Sequence, residues 1–336
     1  MINKLLIFLL SVVVLSYCVT KFNFYNKVVY SVPLGLDDFV SPEENPQTIK
    51  KVELGKMLFF DPRLSVDGSI SCSSCHLSSH AFTNGAEVAV GVRKQTGDRN
   101  VPTLFNRAYS KIQFWDGRAS SLEDQAWGPI LNPKEMGNTV DNALQTIRKI
   151  SGYQKFFQQT FQEKANKKNV ALALSAFERT LLSGNSAFDQ YKAGNKTALN
   201  ESAIRGMNLF FDKFKCVNCH QGSNFTNEKL SPRCYPKGLE LASSDFPGDV
   251  SKKRVLYKVP TLRNIALSGP YMHNGKLATL REVIEFYNHS GKAPAVLGNS
   301  IDFPKIEMNE SDKNDLIEFL NQLTGNQQSI TAPTLP

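Results

Sequence analysis

Two copies of one short phrase, each followed by Cys-x-x-Cys-His, constrain what this 336-residue chain can fold into. GKMLFFD at 55–61 and GMNLFFD at 206–212 share five of seven positions at a single offset of 151. A CxxCH segment follows each phrase, at 72–76 and at 216–220. A phrase that recurs with its neighbouring motif about half a chain later predicts two related units.

Each CxxCH segment brings two thiols and an imidazole together on one turn of chain. The residues are Cys72, Cys75 and His76 in the first segment, and Cys216, Cys219 and His220 in the second. This spacing lets both thiols form thioethers to one haem while the histidine binds the iron. A thioredoxin-like pair needs a βαβ setting, which is missing, and a zinc site does not explain a histidine after both pairs. We therefore predict two covalently bound haem c groups, with His76 and His220 as iron ligands.

Helical periodicity dominates the rest of the chain, and alternating strand patterns are nearly absent. Helical patterns occupy 48–60, 170–184, 200–214, 279–289 and 311–325. The hydrophobic share of 41% and the charged share of 21% exclude a disordered chain and a multi-span membrane protein. We predict an all-α fold with long loops, made of two cytochrome c-like domains at 40–195 and 196–328, each carrying one haem.

The first residues have the layout of an export signal. Lys4 precedes an apolar run from Leu5 to Leu15 that only Ser11 interrupts, which is short for a membrane span. We interpret 1–22 as a signal peptide or a membrane anchor. Cys18 follows Leu-Ser-Tyr and could be lipidated as in bacterial lipoproteins, although Tyr17 is bulky for that signal. The folded part is expected to be periplasmic or otherwise exported, with membrane association through this segment.

The net charge of +8 comes from scattered basic residues rather than from a block. Nucleic-acid binding is therefore not predicted.

The segment FWDGRASSLEDQAWGPILNPKEMG at 114–137, the two CxxCH sites and VPTLRNIALSGPYMHNG at 259–275 carry a family resemblance. The chain resembles the bacterial dihaem cytochrome c peroxidases, which include the MauG-type enzymes, from Leu54 to Leu323. The resemblance implies that the first haem is peroxidatic and that the second receives electrons.

Three side chains of the 114–137 segment match functional positions of the family. Glu135 matches the distal acid/base carboxylate, Gln125 the distal amide that orients peroxide, and Trp115 the tryptophan between the haems. Without the resemblance they would be interpreted as a solvated glutamate, a surface amide and a core aromatic residue.

One position departs from many members of the family. Val92 stands where they carry a histidine that can occupy the distal side of the peroxidatic iron. Its absence predicts an open distal side that needs no reductive activation. His80 is too close in sequence to His76 to be expected on the opposite face of the haem.

The resemblance also implies ligands for the second iron and for a calcium ion. Tyr287 aligns with the sixth ligand of the second haem iron, while Met272 and His289 remain alternatives. His273 is interpreted as a structural or inter-haem residue. The oxygen ligands of an interdomain calcium would be the side chain of Asn100 and the carbonyls of Ser268 and Pro270.

We predict an enzyme that reduces hydrogen peroxide with electrons from a small c-type cytochrome or cupredoxin, and the resemblance implies a homodimer. One alternative is a MauG-like enzyme that oxidises side chains of a partner protein. Another is a dihaem electron carrier without peroxidase activity.

Overall fold

The computed structural model describes residues 31–231, 256–289, 306–326 and 330–336. The predicted signal or anchor at 1–22, with Cys18, lies outside these residues. No helix within the described ranges is long and apolar enough to cross a membrane.

Helices are the main regular structure of the described chain, as predicted, and the described strands are short. In chain order the α-helices are α1 Ile49–Phe60, α2 Cys72–Cys75, α3 Leu122–Gln125, α4 Trp127–Leu131, α5 Val140–Lys149, α6 Ser151–Phe161, α7 Lys167–Glu178, α8 Ala187–Lys192, α9 Glu201–Asn208, α10 Leu280–His289 and α11 Glu310–Asn321. A π-helical turn, Leu209–Lys213, continues α9. The strands β1 Leu230–Ser231 and β2 Tyr257–Lys258 pair antiparallel.

Polar residues start the helices that the sequence predicted. Thr48 precedes α1, and its Oγ1 accepts a hydrogen bond from Lys51 N at 3.3 Å. Asn200 precedes α9 and accepts from Ala203 N at 2.8 Å. Each side chain satisfies an N–H group that has no partner within its helix.

The repeated Gly-x-x-Leu-Phe-Phe phrase builds the same helix crossing twice. A Cβ on Gly55 would collide with Ala173 O of α7 and lie 2.9 Å from Phe177 Cβ. In the second copy α9 meets α11 in the same way. A Cβ on Gly206 would collide with Asp315 O, and it would lie 2.8 Å from the Cβ of the phenylalanine four residues after Asp315 on α11. Only glycine lets the helix axes approach this closely, which explains why glycine opens both phrases.

Helix α7 differs from its predicted bounds. It ends at Glu178 rather than at Gly184. The side chain of Asn106 forms hydrogen bonds with the backbone of the segment that follows. Its side-chain oxygen accepts from Ser183 N at 2.8 Å, and its amide donates to Ser183 O at 2.9 Å. These bonds hold Ser183 outside the helix. Helices α5 and α6 lie where the sequence analysis assigned no helix, and they bury Ala143, Leu144, Ile147, Tyr153 and Phe157.

A second repeated phrase, VPTL at 101–104 and 259–262, also occupies equivalent places. Asn106 and Asn264 follow the two copies, both with positive φ, at 61° and 58°. Asn106 N donates to Leu181 O after α7, and Asn264 N donates to Leu323 O after α11. We call 49–183 the first repeat and 201–325 the second repeat.

Two hydrophobic clusters fill the repeats. The first surrounds α1 and α5–α7, and the second surrounds α9–α11. After the second repeat the chain returns to the first, because Ile330 and Leu335 pack against the first cluster. Arg63 Nη2 donates to Pro336 O at 3.1 Å.

Candidate functional site

Both CxxCH segments fold as a single tight turn. His76 N donates to Cys72 O, and His220 N donates to Cys216 O, each at 3.0 Å. The first turn is α2 and the second is the 3₁₀ turn Cys216–Asn218. None of the four cysteines in these segments forms a disulfide. Each turn therefore presents two thiols and one imidazole on a short arc of backbone.

Both imidazoles are oriented by a carbonyl group. His76 Nδ1 lies 2.8 Å from Phe82 O, and His220 Nδ1 lies 3.1 Å from Phe225 O. A carbonyl oxygen only accepts, so Nδ1 carries the proton in each ring and Nε2 keeps its lone pair. The two phenylalanines have φ values of 58° and 50°, a left-handed conformation that turns these carbonyls toward the rings.

The surroundings of the two turns fit a covalently bound haem. Cys72 packs against the first hydrophobic cluster and Cys216 against the second, which provides the apolar contacts that a porphyrin needs. Burial lowers the pKa of His76 to about 4, so the ring is neutral, the form that binds iron. Burial, with a contribution from Glu135, raises the pKa of Cys75 to about 11.

Glu135 is the predicted catalytic carboxylate, and a tight turn holds it next to the first CxxCH segment. Glu135 N donates to Asn132 O at 3.0 Å. The Asn132 side chain donates back, from Nδ2 to Glu135 Oε1 at 2.7 Å. Burial raises the pKa of Glu135, while the bond from Asn132 and the charge of Arg118 oppose that shift. The carboxyl group is thus half-buried, held at one oxygen, and close enough to Cys72 and Cys75 to raise the pKa of both thiols.

The loop that contains Val92 packs directly beneath this turn. Val92 N donates to Glu135 O at 2.8 Å, and its side chain is buried against Gly137. A Cβ on Gly91 would collide with the carbonyl oxygens of Lys134 and Glu135. Val92 and Gly91 therefore support the Glu135 turn in this chain.

Gln125 ends the short helix α3, which an ion pair anchors. Arg179 donates to both oxygens of Glu123, at 2.6 and 2.8 Å, and Asn45 Nδ2 donates to the same carboxylate at 2.6 Å. The half-buried Gln125 amide has no hydrogen-bond partner within the described ranges, so it remains available to a ligand.

Trp115 lies where the two repeats meet. Its Nε1 donates to Asn100 O at 2.8 Å, and its own carbonyl accepts from Lys258 N of the second repeat at 2.7 Å. Asn100 N donates to His273 O at 2.8 Å. The His273 ring stacks on Tyr257 with centroids 3.8 Å apart. The tryptophan is therefore tied to both repeats.

Two candidate ligands of the second iron lie on α10, and the third, Met272, precedes that helix. Tyr287 is half-buried on α10, with its ring centroid 5.2 Å from that of Phe286. Met272 is half-buried and has a φ of 68°. His289 is the last residue of α10, and its side chain lies outside the described part of the structure. His80 is exposed at the surface.

No hydrogen bond among the described residues joins the three predicted calcium ligands. Asn100 is buried, and its Nδ2 donates to Ala86 O at 3.0 Å and to Glu87 O at 3.2 Å. Ser268 Oγ donates to Ile265 O at 3.4 Å. Pro270 follows a cis peptide bond after Gly269. The calcium site stays a prediction.

Sequence reasoning missed the residues that position the functional groups. Asn132, Gly91 and the carbonyls of Phe82 and Phe225 all act on Glu135 or on the histidines. A signal for the carbonyls was present, because Phe-Thr-Asn follows each CxxCH segment, at 82–84 and 225–227.

Comparison with known proteins gives concordant matches. The family described as di-haem cytochrome c peroxidase matches residues 49–197. The methylamine utilization protein MauG of Methylorubrum extorquens is 38% identical over 299 residues, which cover 88% of this chain and 84% of that protein. The cytochrome c551 peroxidase of Nitrosomonas europaea is 37% identical over 297 residues, 87% of this chain and 85% of the relative.

A solved structure supports the same fold. The crystal structure of a MauG-like protein associated with microbial copper homeostasis superposes with a TM-score of 0.78 at 30% identity. The match covers 89% of this chain and 96% of that one.

Proposed function

The chain belongs to the di-haem cytochrome c peroxidase family, and from that membership we propose that it is an oxidoreductase that reduces hydrogen peroxide to water. The observation that carries the proposal is the half-buried Glu135 carboxyl group, held by Asn132 beside the first CxxCH segment. This is where a proton must be moved if peroxide is cleaved at an iron bound by His76.

The proposal assigns one haem c to each repeat. A peroxidatic domain at 40–195 would hold the first through Cys72, Cys75 and His76. An electron-transfer domain at 196–328 would hold the second through Cys216, Cys219 and His220. When bound, the first haem supplies the iron that accepts peroxide, and the second supplies a relay for electrons.

Three side chains would then have different roles in the cleavage of peroxide. Gln125, whose amide is unengaged, orients the peroxide by hydrogen bonding. Glu135 Oε2 takes the proton from one peroxide oxygen and delivers it to the other, which leaves as water. Asn132 keeps Oε1 fixed, so Oε2 stays directed at the substrate.

Overall, one hydrogen peroxide, two protons and two electrons give two water molecules. The electrons would come from a small cytochrome c or cupredoxin in the exported compartment and cross the contact between the repeats near Trp115, which bonds to both of them.

Stopped-flow absorbance tests the proposal. The fully oxidised protein is mixed with hydrogen peroxide, and reduced cytochrome c is then added. We expect a fast absorbance change, followed by rapid oxidation of the cytochrome. A reaction that appears only after one-electron reduction would contradict the open distal side inferred from Val92. Inertness in both oxidation states would favour an electron carrier.

The second candidate function is MauG-like oxidation of a partner protein. Val92 favours it, because the distal histidine of other members is absent. The same experiment separates the two functions: a peroxide-treated protein that reacts fast but oxidises cytochrome c slowly would support the MauG-like role.

Replacing Asn132 with alanine should lower peroxide turnover about tenfold, because it removes a charge-assisted hydrogen bond worth about 1.5 kcal/mol. The bond favours the charged carboxylate, so its loss should raise the pKa of Glu135. The acidic limb of the rate profile should therefore move to higher pH.

The matched control for this change is Asn142→Ala, an exposed asparagine on α5. Burial raises the pKa of Glu178, on α7, to about 7. Because this group titrates in both variants, its effect on the pH profile is the same in each, and it does not contribute to the difference between them. An Asn132→Ala protein with an unshifted acidic limb would mean that the bond does not act on the catalytic proton.

Replacing Tyr287 with phenylalanine should change the low-spin absorbance and paramagnetic resonance signals of the second haem, since the phenolic oxygen is lost as a ligand. Tyr191→Phe, on α8, is the control. Identical spectra for Tyr287→Phe and the unmodified protein would exclude this tyrosine, and Met272 would be tested next.

A further inference from the structure

The two VPTL segments hold their histidine loops in the same way. Thr103 Oγ1 donates to Ala81 O at 2.6 Å, and Thr261 Oγ1 donates to Asn224 O at 2.7 Å. Each accepting carbonyl directly precedes the phenylalanine whose own carbonyl orients the imidazole. Residues at equivalent positions of the two segments therefore face equivalent loops.

At one of these positions the two repeats carry opposite kinds of side chain. Phe105 packs edge to face on Phe82, with centroids 5.1 Å apart at 88°. In the second repeat the equivalent residue is Arg263, whose guanidinium carbon lies 5.5 Å from the ring centroid of Phe225. The first repeat is apolar at this place, and the second holds a cation.

The cation is buried and fully engaged. Arg263 is 1% exposed and pairs with Asp189, which is 3% exposed, through bonds of 2.5 and 2.9 Å. Its Nε donates to Ser223 O at 2.8 Å, within the loop that follows His220. The Asp189 carboxylate also accepts from Ser186, its own helix cap, at 2.7 Å. The guanidinium thus touches the histidine loop directly, while the carboxylate bonds to the guanidinium and to the cap.

Packing alone does not require this pair. A buried ion pair loses the hydration of both charges, and an apolar replacement of similar volume is often neutral or stabilising. Phe105 shows that an apolar side chain fills the equivalent place on the same scaffold. What Arg263 adds is a fixed positive charge beside the loop of His220.

We infer that Arg263 and Asp189 form a positioning pair that sets the reduction potential of the second haem apart from that of the first. The inference rests on the proposed haem at His220. A positive charge beside an iron site favours the reduced form, because reduction lowers the charge at the iron. The carboxylate partly offsets that charge, so the two partners act in opposite directions.

Spectroelectrochemical titration of the holoprotein without peroxide tests the pair. Asp189→Asn leaves the cation and should move the midpoint potential of the second haem upward. Arg263→Phe leaves the carboxylate and should move it downward. Neither change should move the first haem. Opposite shifts at one haem are a result that loosened packing does not produce.

The double variant Arg263→Phe/Asp189→Asn gives the second repeat the phenylalanine of the first and leaves no unpaired charge. It should fold even where a single variant fails, and its second haem should titrate at a lower potential than in the unmodified protein. The control is Arg205→Met/Asp315→Asn, which removes an ion pair of the same repeat between an exposed arginine and a buried aspartate and should move neither potential.

An unmoved second haem in the folded double variant would overturn the inference, as would equal shifts at both haems. The outcome is independent of peroxidase activity, because the titration contains no peroxide. Haem content, measured as the pyridine complex, reports separately whether each chain carries two haem c groups, as the proposed function requires.

Discussion

Replacement of Glu135 by glutamine is expected to lower peroxide turnover by about 10²- to 10⁴-fold, the usual contribution of a positioned general acid–base group. Glutamine keeps the size of the side chain and can still meet Asn132, but it cannot take up and return a proton. Both haems should remain attached, because Glu135 is not part of either CxxCH segment. Steady-state oxidation of reduced cytochrome c measures the loss.

The matched control is Glu53→Gln, an exposed glutamate on α1, which should leave turnover unchanged. The pH profile sharpens the comparison. Burial raises the pKa of Glu135, so the acidic limb of the unmodified protein should lie above the range of an ordinary glutamate and should vanish in Glu135→Gln. Near-normal turnover in the variant would remove Glu135 from the mechanism.

The sequence predicted the parts of the site that depend on local pattern. Two thiols and a histidine within five residues must share a turn, and the structure builds that turn twice, with the same 3.0 Å bond. Helices α1, α9, α10 and α11 were predicted from apolar spacing and capping residues, because these too are local.

Contacts distant in sequence were not predictable in this way. Asn132 gave no signal that its amide would hold Glu135, and Gly91 gave none that the 132–137 turn would press against it. Helix α7 runs six residues short of its apolar pattern because Asn106, far away in sequence, captures the following segment. In each case the decisive partner is set by the packing of the repeats.

Arg263 shows the same limit at the level of charge. The sequence contains 39 lysine and arginine residues, and nothing in it marks this one as buried or paired. The residue lies in a segment that carries the family resemblance. Only the structure brings Asp189 to it and aligns it with Phe105. The repeated VPTL phrases show that Arg263 and Phe105 are equivalent positions. They do not show that the arginine is buried against an aspartate, which is the difference between the repeats.

Replacement of Gly55 by alanine is expected to destabilise the protein, although alanine is the better helix former. In a helix interior alanine gains about 1 kcal/mol over glycine. Against this, the new methyl group would collide with Ala173 O and lie 2.9 Å from Phe177 Cβ. A backbone carbonyl inside a helix cannot turn away as a flexible side chain can. Forcing α1 from α7 costs about 1–3 kcal/mol or more, as for other overpacked cores, so the clash outweighs the propensity.

The measurement is the free energy of unfolding by denaturant, with Glu53→Ala on the exposed face of the same helix as the control. Surface changes of this kind usually stay within about 0.5 kcal/mol. Gly206→Ala should repeat the loss, because its methyl group would collide with Asp315 O at the equivalent crossing. If both glycine variants were as stable as the control, the helix pairs would separate without cost, and close approach would not explain why glycine opens both phrases.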